Sequence, residues 1–193
     1  MRMRKVTAAA LTGLALVGLA GTATASASAA GDYPWPPKDI TPVHKTKAEL
    51  QKQADGFSAH QQRSYPKVFR GAQNVVPGPW GGEAPGVFDD MQYMANSVSF
   101  TYQGREFNVI TQVNAPGFYT ASPKQLCERE KCTGTVSDRR GGVIVFSELD
   151  QFNMSLATNF RPNGEVVWTQ GSKQDDRAQL AAVASDRAYT FTK

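Results

Sequence analysis

The 193-residue chain predicts an α+β fold, an antiparallel meander sheet of about six strands with an N-terminal and a C-terminal helix packed on it. Three observations carry that expectation. From residue 97 onward, polar and apolar residues alternate in short runs, the period-two pattern of strands with one buried face. Tight-turn dipeptides separate several of those runs, Gln103-Gly104 and Asn163-Gly164 above all. On either side stand segments with helix caps and helical spacing.

The first thirty residues are of a different kind. Arg2, Arg4 and Lys5 precede an apolar, small-residue run from Val6 to Ala20, and Ala27-Ser28-Ala29 has the small-x-small form of a cleavage site. Residues 1–29 therefore read as a secretory signal peptide, cut after Ala29 or Ala30. Thr12, Gly13, Gly18, Gly21 and Thr22 break the run below the roughly 20 apolar residues a membrane span needs, and Thr22 stands where a lipoprotein would carry its lipidated cysteine. No stable membrane anchor is expected, and the predicted location is secreted, extracellular. Removing those three cations leaves 18 Lys and Arg against 17 Asp and Glu. A near-neutral body lacks the basic face that nucleic acid demands, so no nucleic-acid partner is expected.

Residues 30–45 hold Pro34, Pro36, Pro37 and Pro42 and read as a Pro-rich extended leader; residues 46–193 read as a single α+β domain. Thr46-Lys47-Ala48-Glu49 is a capping box, followed at helical spacing by Leu50, Ala54, Phe57 and Gln61, and Tyr65-Pro66 is expected to end the helix. Residues 71–86, with five glycines and three prolines, read as an irregular loop. The strands follow: Ser97–Tyr102, Glu106–Val113, Thr133–Ser137, Val143–Phe146, Asn153–Phe160 and Glu165–Thr169. Gly171 to Ser185 returns to helix, capped by Ser172 or Asp175, with Leu180, Val183 and Ala184 inward; Ala188–Phe191 reads as a short closing strand.

Cys127 and Cys132 are the only cysteines. In an exported chain a pair this close favours a structural disulfide. Zinc wants about four ligands, and the only histidines, His44 and His60, lie far upstream. No metal and no cofactor are expected.

Candidate chemistry is sparse. The chain has no nucleophile elbow, phosphate loop, zinc-protease helix or calcium loop. Glu148 and Asp150 would share one face of a strand about 7 Å apart, and paired carboxylates serve glycoside hydrolysis. The stretch Glu148 to Asn153 resembles the Glu-x-Asp-x-x-Glu core of laminarinase-type glycosidases, but Asn153 stands where that family has its acid/base glutamate. His60, near the edge of the first helix's apolar stripe, reads as a structural histidine. Trp80, between Pro79 and Gly81-Gly82, is either an exposed partner-binding aromatic or the plug that pins its loop. Trp35 is either a partner anchor or a ring docked on the chain's own domain.

Residues 125–191 carry a cysteine pair, Arg140-Gly141-Gly142-Val143-Ile144-Val145, Pro162-Asn163-Gly164-Glu165-Val166-Val167 and Gln179 to Asp186 in order. That stretch resembles a loose set of actinobacterial secreted and membrane-tethered proteins of unknown function. The resemblance implies a bacterial exported protein and carries no activity; the missing anchor implies release into the medium or loose wall association. The expected function is a secreted, non-enzymatic module that binds an extracellular protein or cell-wall component, inhibition of an extracellular protease being one form of this. The alternative is an extracellular hydrolase of glycan or peptide using Glu148 and Asp150.

Overall fold

The computed structural model describes residues 33–82, 86, 92–173 and 176–193; the expected signal segment, its expected cleavage site and the first residues of the expected leader lie outside them. The order along the chain is α1 (Lys47–Val68), β1 (Gln73–Pro77), β2 (Tyr93–Tyr102), β3 (Arg105–Asn114), α2 (Pro123–Arg129), β4 (Lys131–Asp138), β5 (Gly142–Leu149), β6 (Met154–Phe160), β7 (Val166–Ser172) and α3 (Arg177–Ala184). One antiparallel sheet of seven strands runs β1-β2-β3-β7-β6-β5-β4. The α+β class holds, but the sheet is not one meander of six. Two meanders, β1-β2-β3 and β4-β5-β6-β7, join where β3 pairs with β7, and α2 lies on the stretch that carries the chain to the far edge.

The capping box at Thr46 forms, with Thr46 N donating to Glu49 Oε2 at 2.9 Å, and Leu50, Ala54, Phe57, Gln61 and Tyr65 make the buried stripe. The helix does not stop at Tyr65-Pro66; it continues to Val68 with Pro66 inside. Proline in a last turn deletes one hydrogen bond, and the rings at that end outweigh the loss. Phe69 N donates to Tyr65 O at 2.8 Å, Tyr65 stacks on Phe69 and Phe69 packs on Phe100 with centroids 4.7 Å apart.

The stretch expected to be irregular at 71–86 contains edge strand β1, bulged between Gln73 and Val76. Beyond it the chain still follows β2: Gly78 N donates to Ser97 O at 2.7 Å, and Gly81 bridges to Ala95. Helix α2 has no counterpart in the expected elements. Ser122 and Gln125 form its capping box and Pro123 occupies the first turn, a signal that the neighbouring cysteines obscured. Helix α3 starts six residues later than expected because Gly171 and Ser172 pair with Ser155 and Met154 as the end of β7. Its cap is Asp176, whose Oδ1 accepts from Ala178 N at 2.8 Å; Asp175 lies outside the described residues.

Both sheet faces carry apolar clusters. On one, α1 and α3 cover Val98, Phe100, Val109, Val113, Ile144, Ala157 and Val167. On the other, Leu126 of α2 and the half-buried leader rings Tyr33 and Trp35 cover Val143, Val145, Phe160 and Val166. The leader thus packs on its own domain. Its Ile40 lies against Gly164, where an added Cβ would come within 2.3 Å of the Ile40 side chain, and Gly164 also has φ +83. Only glycine serves that turn.

The predicted strand at 188–191 does not form. Tyr189 and Phe191 are buried, yet their segment has no strand partner, because a carboxylate does the pairing. Glu165, 1% exposed, accepts from Thr190 Oγ1 at 2.6 Å, Phe191 N at 2.8 Å and Thr192 N at 3.2 Å. Arg161 donates through Nη1 to Glu165 Oε2 at 3.1 Å and to Tyr189 O, and through Nη2 to Ala184 O at 3.1 Å and Asp186 O at 2.9 Å. Burial pulls the Arg161 pKa down, and the Glu165 charge opposes this.

Removing one partner of a buried pair strands the other charge. Glu165→Gln is expected to cost about 3–5 kcal/mol, read from urea unfolding. Replacing Cys127 and Cys132 with serine is expected to cost only roughly 2 kcal/mol, because the ring is small, and to leave a folded chain by circular dichroism.

Candidate functional site

Cys127 and Cys132 form a disulfide, with Cα atoms 5.2 Å apart. It ties α2 to the start of β4, the sheet's outer strand. Among the described residues no group of three or more His, Cys, Asp or Glu side chains could hold a metal ion, and no helix is long and apolar enough to cross a membrane.

Glu148 lies on β5, but Asp150 does not share the strand; it opens the short 3-10 turn Asp150–Phe152. Lysines bridge the two carboxylates. Lys131 Nζ is 3.2 Å from Glu148 and 3.3 Å from Asp150; Lys173 is 3.2 Å from Glu148 and also contacts Asp150; Arg177 Nη2 is 3.0 Å from Glu148. Hydrogen bonds from Lys131 and then Lys173 hold the Glu148 carboxyl below its ordinary value, and Lys173 and then Lys131 do the same for Asp150. The same bonds push both lysines up. A general acid for glycoside hydrolysis must keep its proton near neutral pH, and these surroundings favour the ionised form of both groups.

His60 is elsewhere. Its Nε2 lies 2.6 Å from Asp186 Oδ2 and its ring meets Tyr189 edge-on. Arg177 begins α3 beside Glu148, and Asp186 follows its end beside His60, so the eight residues of α3, about 12 Å of helix, separate the two groups. Nothing joins His60, Glu148 and Asp150 into one site. Trp80 is 2% exposed and packs on Phe57 and Tyr189, the position of a plug. Trp35 Nε1 donates to Tyr119 O at 3.0 Å and its ring meets Phe160 edge-on at 5.1 Å.

Beyond the leader, one face of the sheet is only partly covered by the described residues. Strand register places Ala95, Gln112, Trp168 and Thr158 in one row across the sheet, and Ser97, Ile110, Gln170 and Leu156 in the next. Beyond them Ser99 pairs with Asn108 and, across the gap between β3 and β7, Ser172 pairs with Met154. None of these side chains is ionisable. Trp168, Gln112, Gln170, Ile110 and Ser97 are half-buried, while Ser99 and Asn108 are exposed.

The rows end in a cleft with a simple origin. β3 pairs with β7 only from Ile110 to Asn114, so the first residues of β3 diverge from the end of β7. A space of about 400 Å³ opens there, lined by Asn108, Ile110, Phe152, Met154 and Gln170 and, at its outer end, by the charged Arg105 and Glu106. Phe152 at its mouth is 59% exposed. At the other end of the face Tyr93 and Phe118 stack, centroids 5.1 Å apart. This surface was not among the expected sites, although Val167-Trp168-Thr169-Gln170 alternates and so puts Trp168 opposite the core-facing Val167. No protein-family model, curated protein or solved structure matches this chain.

The lysine–carboxylate cluster sets a pH window. Lowered carboxyl pKa values mean its stabilisation is present above the ordinary carboxylate range and is lost as pH falls through the shifted values; raised lysine values mean it is lost again as pH rises past the ordinary lysine range. Thermal midpoints measured against pH should plateau through neutrality and fall at both ends. In Glu148→Gln/Asp150→Asn the acid limb is expected to flatten.

Proposed function

We propose that this chain is an exported, non-enzymatic binding module whose open sheet face takes an uncharged glycan of the cell wall. The signal-like N-terminus, the disulfide and the resemblance of residues 125–191 to exported actinobacterial proteins support export. One observation carries the ligand class: adjacent rows present indole, amide, hydroxyl and aliphatic groups, with no charge among them. Sugars offer that complement, since ring C–H faces pack on indole and hydroxyls exchange hydrogen bonds with Asn, Gln and Ser.

The face runs from Tyr93 to Ser99, about 20 Å at strand rise, room for a short run of sugar rings between the Tyr93–Phe118 stack and Phe152. Glycan or peptide hydrolysis by Glu148 and Asp150 is the weaker reading, because both carboxyls are held ionised.

The test is titration calorimetry with chitohexaose, alongside sedimentation with purified peptidoglycan. Trp168→Ala is expected to weaken binding about tenfold while lowering the unfolding midpoint only slightly, with the chain still folded by circular dichroism. Binding indifferent to Trp168→Ala and Gln170→Ala would defeat the assignment. Turnover of the glycan that disappears in Glu148→Gln would replace it with the hydrolase.

A further inference from the structure

Two cavities adjoin on the opposite, helix-covered side of the sheet. The larger, about 620 Å³, is a groove between α3 and the outer strands β4 and β5. Val136, Ile144 and Phe146 form its floor, and Ala178, Ala181 and Ala182 form its wall. It exists because α3 packs on β6 and β7 and turns only methyl groups toward β5, while Gly134, the residue opposite Phe146, adds no side chain.

The lining is sorted along its length. Near the start of α3 it is aliphatic and aromatic. Where α3 ends over the β4–β5 turn stand Asp138, Arg139, Arg140 and Ser185, with Arg140 Nη1 donating to Ser185 O at 3.4 Å. A second pocket of about 340 Å³ begins there; it shares Asp138, Arg140 and Ser185 and adds Arg187 and Lys193 beside the mutually paired Arg161 and Glu165. Asp138 is the one carboxylate facing both spaces. It is 9% exposed, and its Oδ2 accepts from Asn159 Nδ2 at 3.2 Å, so the cations outnumber it at the shared end.

An occupant therefore meets methyl groups and an aromatic ring along about 12 Å of α3, then a cluster of cations. A peptide would lay unpaired N–H and C=O groups against alanine and valine, at a cost for each. An unbranched acyl chain has no such groups and needs no directional partner. We infer that this groove binds a long-chain carboxylate, its acyl chain along α3 and its head group at Arg140, with Arg139 and Arg187 beside it. The site shares no residue with the Trp168 face and stands whether or not that face binds glycan.

The experiment is calorimetry of the folded chain with octanoate, decanoate and dodecanoate, all below their micelle concentrations, and with monomeric dodecyl maltoside, which keeps the chain and lacks the anion. Affinity is expected to rise about threefold for every two methylenes, a partial burial of each. Arg140→Gln should weaken dodecanoate about tenfold and leave the maltoside unchanged. Ala182→Trp, at an exposed position of α3, should weaken both about tenfold without moving the unfolding midpoint. Absence of saturable dodecanoate binding, no dependence on chain length, or indifference to Ala182→Trp would overturn the acyl site. Equal dodecanoate affinity in Arg140→Gln would overturn the head-group assignment. Association with phosphatidylglycerol vesicles and not with monomeric dodecanoate would overturn the proposal in favour of a membrane surface.

Discussion

The arrangement rests on one buried ion pair at the ends of one hairpin. Arg161 and Glu165 flank the β6–β7 turn, and between them they bind the backbone of residues 184–192. A tail without strand or helix would otherwise bury peptide groups with no partner, which proteins rarely tolerate. Because the pair satisfies them, Tyr189 and Phe191 can enter the core, where Tyr189 meets Phe57, His60 and Trp80. The helix-side core is closed by residues that reach it only through this clamp. The i, i+4 spacing across Pro162-Asn163-Gly164 lets a local turn organise a segment some 25 residues away.

The two sides of the sheet are covered unequally, and the surfaces with chemistry are the parts left over. Leader and α2 shield the end of one face around Phe160, leaving the Trp168 rows open. On the other face α1 and α3 occupy β1 to β3 and β6 to β7, leaving a trough above β4 and β5. Neither opening requires strain. One follows from strands that part after five paired residues, the other from a helix with alanines on its outward side.

Much of this architecture was legible in the sequence where local rules act. The capping box at Thr46, the Leu50-to-Gln61 stripe, the Asn163-Gly164 hairpin and the Cys127–Cys132 bridge each depend on residues a few positions apart. The failures were non-local. Pro66 reads as a stop until the rings of Tyr65, Phe69 and Phe100 are seen to hold the last turn. Residues 188–191 read as a strand because they are apolar and alternate, and only the distant Glu165 shows why they pair with a carboxylate. The order β3-β7 could not be inferred from either hairpin. As for the site, Glu148 and Asp150 drew notice as a pair, but the lysines that neutralise them come from β4 and the end of β7. Trp168 and its amide neighbours are divided between β3 and β7, which are far apart in sequence, so no single stretch announces them.

The join between β3 and β7 also governs timing. A chain that emerges amino end first, from a ribosome or through a pore, can build α1 and the β1-β2-β3 hairpins early, yet β3 stays a raw margin until residues 166–170 arrive. The helix-side core likewise waits for Phe191. Completion is therefore a late, all-at-once event that belongs to the last thirty residues, and such long-range closure is slow. Until then the pairing edge of β3 and the seat of Phe191 have no occupant.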